Sequence, residues 1–201
     1  MNTLIKRAMV VAGITTAMAL PLATQASDGT IIFTGIITAT TCTVSVSGQG
    51  ANPTIALPTV STAALTNAAT KTSAAGTFFN MAISGCVTAA DVGAGLNTAP
   101  TTVAVYFEAG PNVDHVTGGL INTSTSTSAV EVNLYNASAA SVVGTQIIPG
   151  TTTGQTITQP IGGGTQWFYA GYSSKGPAGL TGAAVVAGAV NTSVTYSLVY
   201  Q

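Results

Sequence analysis

The chain has 201 residues, 46% of them hydrophobic and only 4% charged, where an ordinary soluble domain carries roughly 25% charged residues. Four basic and five acidic residues leave a net charge of −1, which excludes a basic field able to hold nucleic acid. High hydrophobicity with little charge is also the reverse of the disordered signature, and a single histidine with no run of acids leaves little from which to build acid–base chemistry or a metal site.

Residues 1–26 read as a cleaved export signal. Lys6 and Arg7 give a positive start, Ala8–Leu20 is an apolar run, and Thr24-Gln25-Ala26 places small residues at −3 and −1 of a cut after Ala26. The apolar run, about 13 residues, is shorter than the ~20 that a membrane helix needs. The mature chain is expected to start near Ser27, where two lysines (Lys71 and Lys175) face five carboxylates (Asp28, Asp91, Glu108, Asp114 and Glu131).

From there on the signals are those of strands: short β-branched and aromatic runs bounded by Gly, Pro, Asn and Ser. The expected strands are Thr30–Thr38, Thr41–Ser47, Thr77–Ser84, Thr101–Glu108, Ala129–Tyr135, Gln166–Ser173 and Ser193–Tyr200. Ser61–Ser73 can hold a short helix or a loop, and Gly162–Gly164 and Lys175–Gly182 read as loops. Seven or so strands with Gly/Pro turns between them argue for an all-β sandwich. Cys42 and Cys86 are the two cysteines, and in an exported chain such a pair reads as one disulfide.

The two ends of the mature chain have complementary needs. Ile31, Phe33, Gly35 and Ile37 share one face of the first strand, and Ile32 and Ile36 make the other face apolar as well. A segment this apolar at a chain end is an aggregation hazard unless something buries it. At the other end Val194, Tyr196, Leu198 and Tyr200 alternate on one face up to the penultimate residue, and no later strand follows to cover that edge. Pairing within one molecule would satisfy both ends. Insertion into another copy would too, and it would generate a head-to-tail fibre.

The residues that mark these ends also carry a family resemblance. The stretch Gly29–Ile37 followed by Cys42, the run Phe78–Gly85 leading into Cys86, the aromatic segment Phe168-Tyr169-Ala170-Gly171-Tyr172, Gly188 fourteen residues from the C-terminus and the penultimate Tyr200 occur in that order. In this the chain resembles the type 1 fimbrial major-subunit family of chaperone–usher pili. It departs in length, with added Gly, Ala and Thr around 89–99 and 149–164.

The resemblance implies an incomplete immunoglobulin-like sandwich lacking its last strand, residues 39–201, preceded by a donor-strand extension, residues 27–38. Ile31, Phe33, Gly35 and Ile37 would be donated to a neighbour, and Gly188, Val194, Tyr196, Leu198 and Tyr200 would belong to the edge that receives a strand. It also implies the partners: other copies or other pilus subunits, a periplasmic chaperone and an outer-membrane usher, with any host receptor reached only through other subunits. The product would be an extracellular fimbria reached through the periplasm, supporting adhesion, with no cofactor. The alternatives are a minor adaptor subunit or a secreted lectin-like adhesin of the same fold.

Catalytic readings are thin. Asp114 and His115 are adjacent, so on a strand they would point to opposite faces, and within Pro111–His115 they read as a solvated turn. No G-x-S-x-G is present, and Gly162–Gly164 lacks the Lys-Ser/Thr ending of a phosphate-binding loop. Trp167, Phe168 and Tyr169 could stack a sugar, but on an alternating strand at least part of the set is expected to pack in the core.

Overall fold

The computed structural model describes residues 42–66, 75–86, 100–124, 129–155, 158–174 and 185–201. All belong to the second of two compact units, Thr38–Gln201. The expected export segment, the expected strand Thr30–Thr38 with Ile31, Phe33, Gly35 and Ile37, and the expected loop Lys175–Gly182 lie outside the described residues.

The described residues form nine strands and one short helix: β1 (Thr43–Val46), α1 (Thr62–Thr66), β2 (Gly76–Ser84), β3 (Thr102–Phe107), β4 (Leu120–Ile121), β5 (Val130–Ala139), β6 (Val142–Ile147), β7 (Thr158–Pro160), β8 (Gly164–Ser174) and β9 (Tyr196–Tyr200). They make two antiparallel sheets. The larger runs β1-β2-β8-β5, with β4 and β6 both paired to β5, and the smaller is β7-β3-β9. The fold is the expected all-β sandwich.

Period-2 alternation builds the core. In the larger sheet Phe79 lies opposite Phe168, and their rings stack with centroids 5.4 Å apart. From the smaller sheet Phe107 meets Phe168 edge-on at 5.2 Å. Val46, Met81, Ile83, Val103, Val105 and Ile147 complete the dry interior. Of the aromatic triplet on β8, Phe168 alone enters this interior. Tyr169 points to the opposite face, between Phe78 at 4.8 Å and Tyr135 at 6.2 Å, and Trp167 is half-buried. α1 packs on β8 and buries Leu65 outside the sandwich core.

The outer face of β5 carries a buried polar pair, Glu131 at 1% and Asn133 at 0% exposure. The Thr117 hydroxyl donates to Glu131 Oε2 at 2.7 Å. Gly119 lies directly over both side chains: a Cβ there would fall 2.4 Å from Glu131 Cδ and 2.7 Å from Asn133 Oδ1. The preceding turn is the solvated one expected at Asp114 and His115. Asp114 Oδ1 accepts from the Val116 N–H at 2.9 Å, and His115 is exposed.

The boundaries differ from the sequence expectation at several strands. β4, β6 and β7 are additional. β4 has two residues and β7 three, too short to show a period, and β6 exposes Val142 and Val143 because only its last residue, Ile147, is fully buried. Gly164 opens β8 instead of closing a loop, since Gly163 makes the turn at φ +108°. The last strand begins at Tyr196, three residues later than expected.

Candidate functional site

The two cysteines join the ends of β1 and β2. Thr43 pairs with Ser84, and just beyond that pair Cys42 and Cys86 form a disulfide with Cα atoms 4.1 Å apart. It closes a loop of about 45 residues, for which chain-entropy arguments give on the order of 4 kcal/mol.

β9 pairs with β3 on one side, Val105 opposite Leu198 and Phe107 opposite Tyr196. Thr102 and Gln201 exchange both backbone bonds at 2.9 Å, and Glu108 N–H donates to Thr195 O at 2.8 Å. Bonded and non-bonded pairs alternate in an antiparallel ladder. The N–H and C=O groups of Ser197, Val199 and Gln201 therefore point to β3, and those of Tyr196, Leu198 and Tyr200 point to the other edge. Among the described residues no strand pairs with that edge.

Beside it the sandwich is open. A cleft of about 900 Å³ runs between two extended segments, 51–57 and 190–196. Its floor is the core itself, including Phe79, Met81, Phe107 and Leu134. Each wall alternates: Pro53, Ile55 and Leu57 are half-buried on one side, and Val190, Thr192, Val194 and Tyr196 on the other, with exposed residues between them. Among the described residues none that lines it is charged, so the cleft is suited to apolar side chains. The Thr192 hydroxyl is buried there with no hydrogen-bond partner among the described residues. Burial also raises the phenol pKa of Tyr172 and Tyr196, both of which line the cleft, above the ordinary 10.0.

Two phenols of β9 reach main chain outside the smaller sheet. The Tyr196 hydroxyl donates to Ala51 O at 2.8 Å, and the Tyr200 hydroxyl accepts from Cys42 N–H at 3.1 Å. The structure thus brings Val194, Tyr196, Leu198, Tyr200 and Cys42 to one side of the sandwich. Gly188 is exposed and precedes β9 in a stretch with no regular structure. The facing wall, Pro53, Ile55 and Leu57, was missed in the sequence, although Pro53-Thr54-Ile55-Ala56-Leu57 carries the period-2 signal that would have marked it.

A second concavity, about 520 Å³, lies on the outer face of the smaller sheet. Three of its polar side chains are engaged: the Ser197 hydroxyl donates to Glu108 Oε1, and the Gln155 amide bonds the backbone of Phe107 and Ile148. Among the described residues no group of three His, Cys, Asp or Glu could hold a metal ion.

Comparison with known proteins bears on this open sandwich. Residues 57–201 match the family model described as FimA: Type-1 fimbrial protein, A. The chain belongs to the type-1 fimbrial protein family. It is 35% identical over 193 residues to the major fimbrial subunit SMF-1 of Stenotrophomonas maltophilia (strain K279a), covering 91% of this chain and 98% of that one. Its fold is that of the P pilus rod subunit PapA (TM-score 0.54, 19% identity, 79% of this chain and 99% of that chain). It is likewise that of a subunit in a chaperone–usher pilus structure (TM-score 0.53, 20% identity, 87% of this chain and 96% of that chain). As a family member the chain is a structural pilus subunit with an incomplete immunoglobulin-like fold, and it assembles with other pilus subunits in an extracellular fimbria.

Proposed function

We propose that this chain is a shaft subunit joined to its neighbours by donated strands, and that the cleft beside the free edge of β9 is the acceptor. The observation that carries the reading is the pairing of two deficits at one place. Among the described residues the N–H and C=O groups of Tyr196, Leu198 and Tyr200 have no strand partner, and they lie next to a cleft floored by core residues. One extended apolar strand would satisfy both. The orphaned Thr192 hydroxyl supports an occupant as well, because a buried polar group without a partner costs roughly 1–3 kcal/mol.

The donor in this reading is residues 27–38 of another copy, with Ile31, Phe33 and Ile37 entering the cleft and Gly35 crossing where it is shallow. Each large side chain would contribute ~1.5–3 kcal/mol and each net ladder hydrogen bond about 0.5–1.5 kcal/mol. Strand addition to an exposed sheet edge is a general mode of recognition, and complementation in pilus chaperone complexes is a standing example of it. Residues 1–26 are then the export signal, and residues 39–201 the receiving domain. A periplasmic chaperone would cover the same edge before assembly at an outer-membrane usher, and no catalytic step is required of the subunit. A joint of this kind persists kinetically, since release requires the whole strand to unzip.

The test is deletion of residues 27–38 in the producing cell, with the export signal retained. The expected result is a subunit that reaches the periplasm but forms no fibres of its own, seen by electron microscopy of sheared surface material. Fibres at the normal frequency would overturn the donor assignment.

A further inference from the structure

From the two phenol bonds that cross the open side, we infer that Tyr196 and Tyr200 are positioning residues that hold the acceptor cleft open before a strand arrives. The inference rests on the strand-exchange reading and adds a role for two hydroxyl groups. An uncharged cleft floored by Phe79, Met81 and Leu134 is driven to collapse in water, because interiors close-pack wherever their walls can move. Among the described residues no backbone bond joins the segment 51–57 to the segment 190–196, so the ladder does not set their separation.

The two tyrosines can set it. They stand four residues apart on the inward face of β9, about 13 Å along the strand. Their backbones are fixed by β3 through the pairs Phe107/Tyr196 and Val103/Tyr200. Each ring is a stiff spacer that ends in a bond to main chain: Tyr196 to Ala51 O in the wall 51–57, and Tyr200 to Cys42 N–H just before β1, outside the cleft lining. The Cys42 anchor is itself held by the disulfide to Cys86. The raised pKa of Tyr196 keeps the proton that its bond to Ala51 donates. A cleft held at strand width avoids the ordering cost that a collapsed one imposes on binding. The struts should therefore govern capture of a strand more than its retention.

The experiment uses the full chain, wild type or carrying Tyr196→Phe and Tyr200→Phe singly and together, offered a fluorescent peptide of residues 27–38. Phenylalanine keeps the ring and removes the bond. The double variant is expected to capture peptide roughly tenfold more slowly, the effect of about two net hydrogen bonds. Peptide release should match wild type, and the filled protein should lose more stability than the empty one, because slower capture means weaker binding. Capture at the wild-type rate, or an equal loss of stability in the empty and filled forms, overturns the bracing role alone. A wild-type protein that captures no peptide overturns the strand-exchange reading, and this inference with it.

Discussion

The backbone N–H of Cys42 donates to the hydroxyl of Tyr200 at 3.1 Å, across 158 residues of chain. That bond ties the last residue of β9 in the smaller sheet to the residue through which a disulfide clamps the larger one. The two sheets are therefore tied at the open side through a phenol.

The disulfide should matter for stability beyond its own two residues. Replacing both cysteines by serine is expected to cost on the order of 4 kcal/mol for a loop of this length. Guanidinium unfolding of the purified protein measures it. A midpoint within error of wild type would show that the clamp does not stabilise the sandwich.

Phe168 is the side chain that links the two sheets, stacked on Phe79 and edge-on to Phe107. Phe168→Ala should destabilise the protein by about 3–5 kcal/mol through lost burial and a residual cavity. Tyr169→Ala, on the opposite face beside Phe78 and Tyr135, leaves the inter-sheet contact intact. Loss of the near-ultraviolet dichroism of the core in the first variant only is the expected outcome.

Gly119→Ala tests the cover over Glu131 and Asn133. The added Cβ would sit 2.4 Å from Glu131 Cδ, and overpacking of this kind costs roughly 1–3 kcal/mol. Gly162→Ala serves as the control, since nothing lies within 4 Å of a Cβ there. Equal unfolding midpoints for the two variants would contradict the close packing at Gly119.

Alkaline pH should weaken the fold through Tyr172 and Tyr196. Burial raises both phenol pKa values above 10.0 in the folded protein. The folded state then holds protons that the unfolded chain has released, so stability is full below pH 10 and falls as pH rises toward the raised values. Unfolding midpoints measured from pH 8 to 11 should decline, and the Tyr172→Phe, Tyr196→Phe double variant should decline less. A wild-type slope unchanged in that variant would remove the two phenols as the cause.

Much of the scaffold was legible because its signals are local. The runs Thr77–Ser84, Thr101–Glu108 and Gln166–Ser173 are short β-branched and aromatic stretches, and each became a strand within a residue or two of its expected bounds. β6 escaped notice because its valines face solvent instead of the core. The facing wall Pro53–Leu57 was hidden by its proline and by the absence of a paired partner, although its alternation is plain once its position is known.

What the amino-acid order determined by itself is the inventory: a charge-poor all-β chain, one cysteine pair, and a final strand whose apolar face runs to Tyr200. Alternation and composition act over a few residues, so they can be read without a fold. Only the tertiary structure decided that the last strand borders a cleft, that residues 51–57 form the opposite wall, and that Tyr196 and Tyr200 reach across to Ala51 and Cys42. Those facts depend on which face of one sheet meets another over 145 and 158 residues of separation, and no local periodicity carries that information.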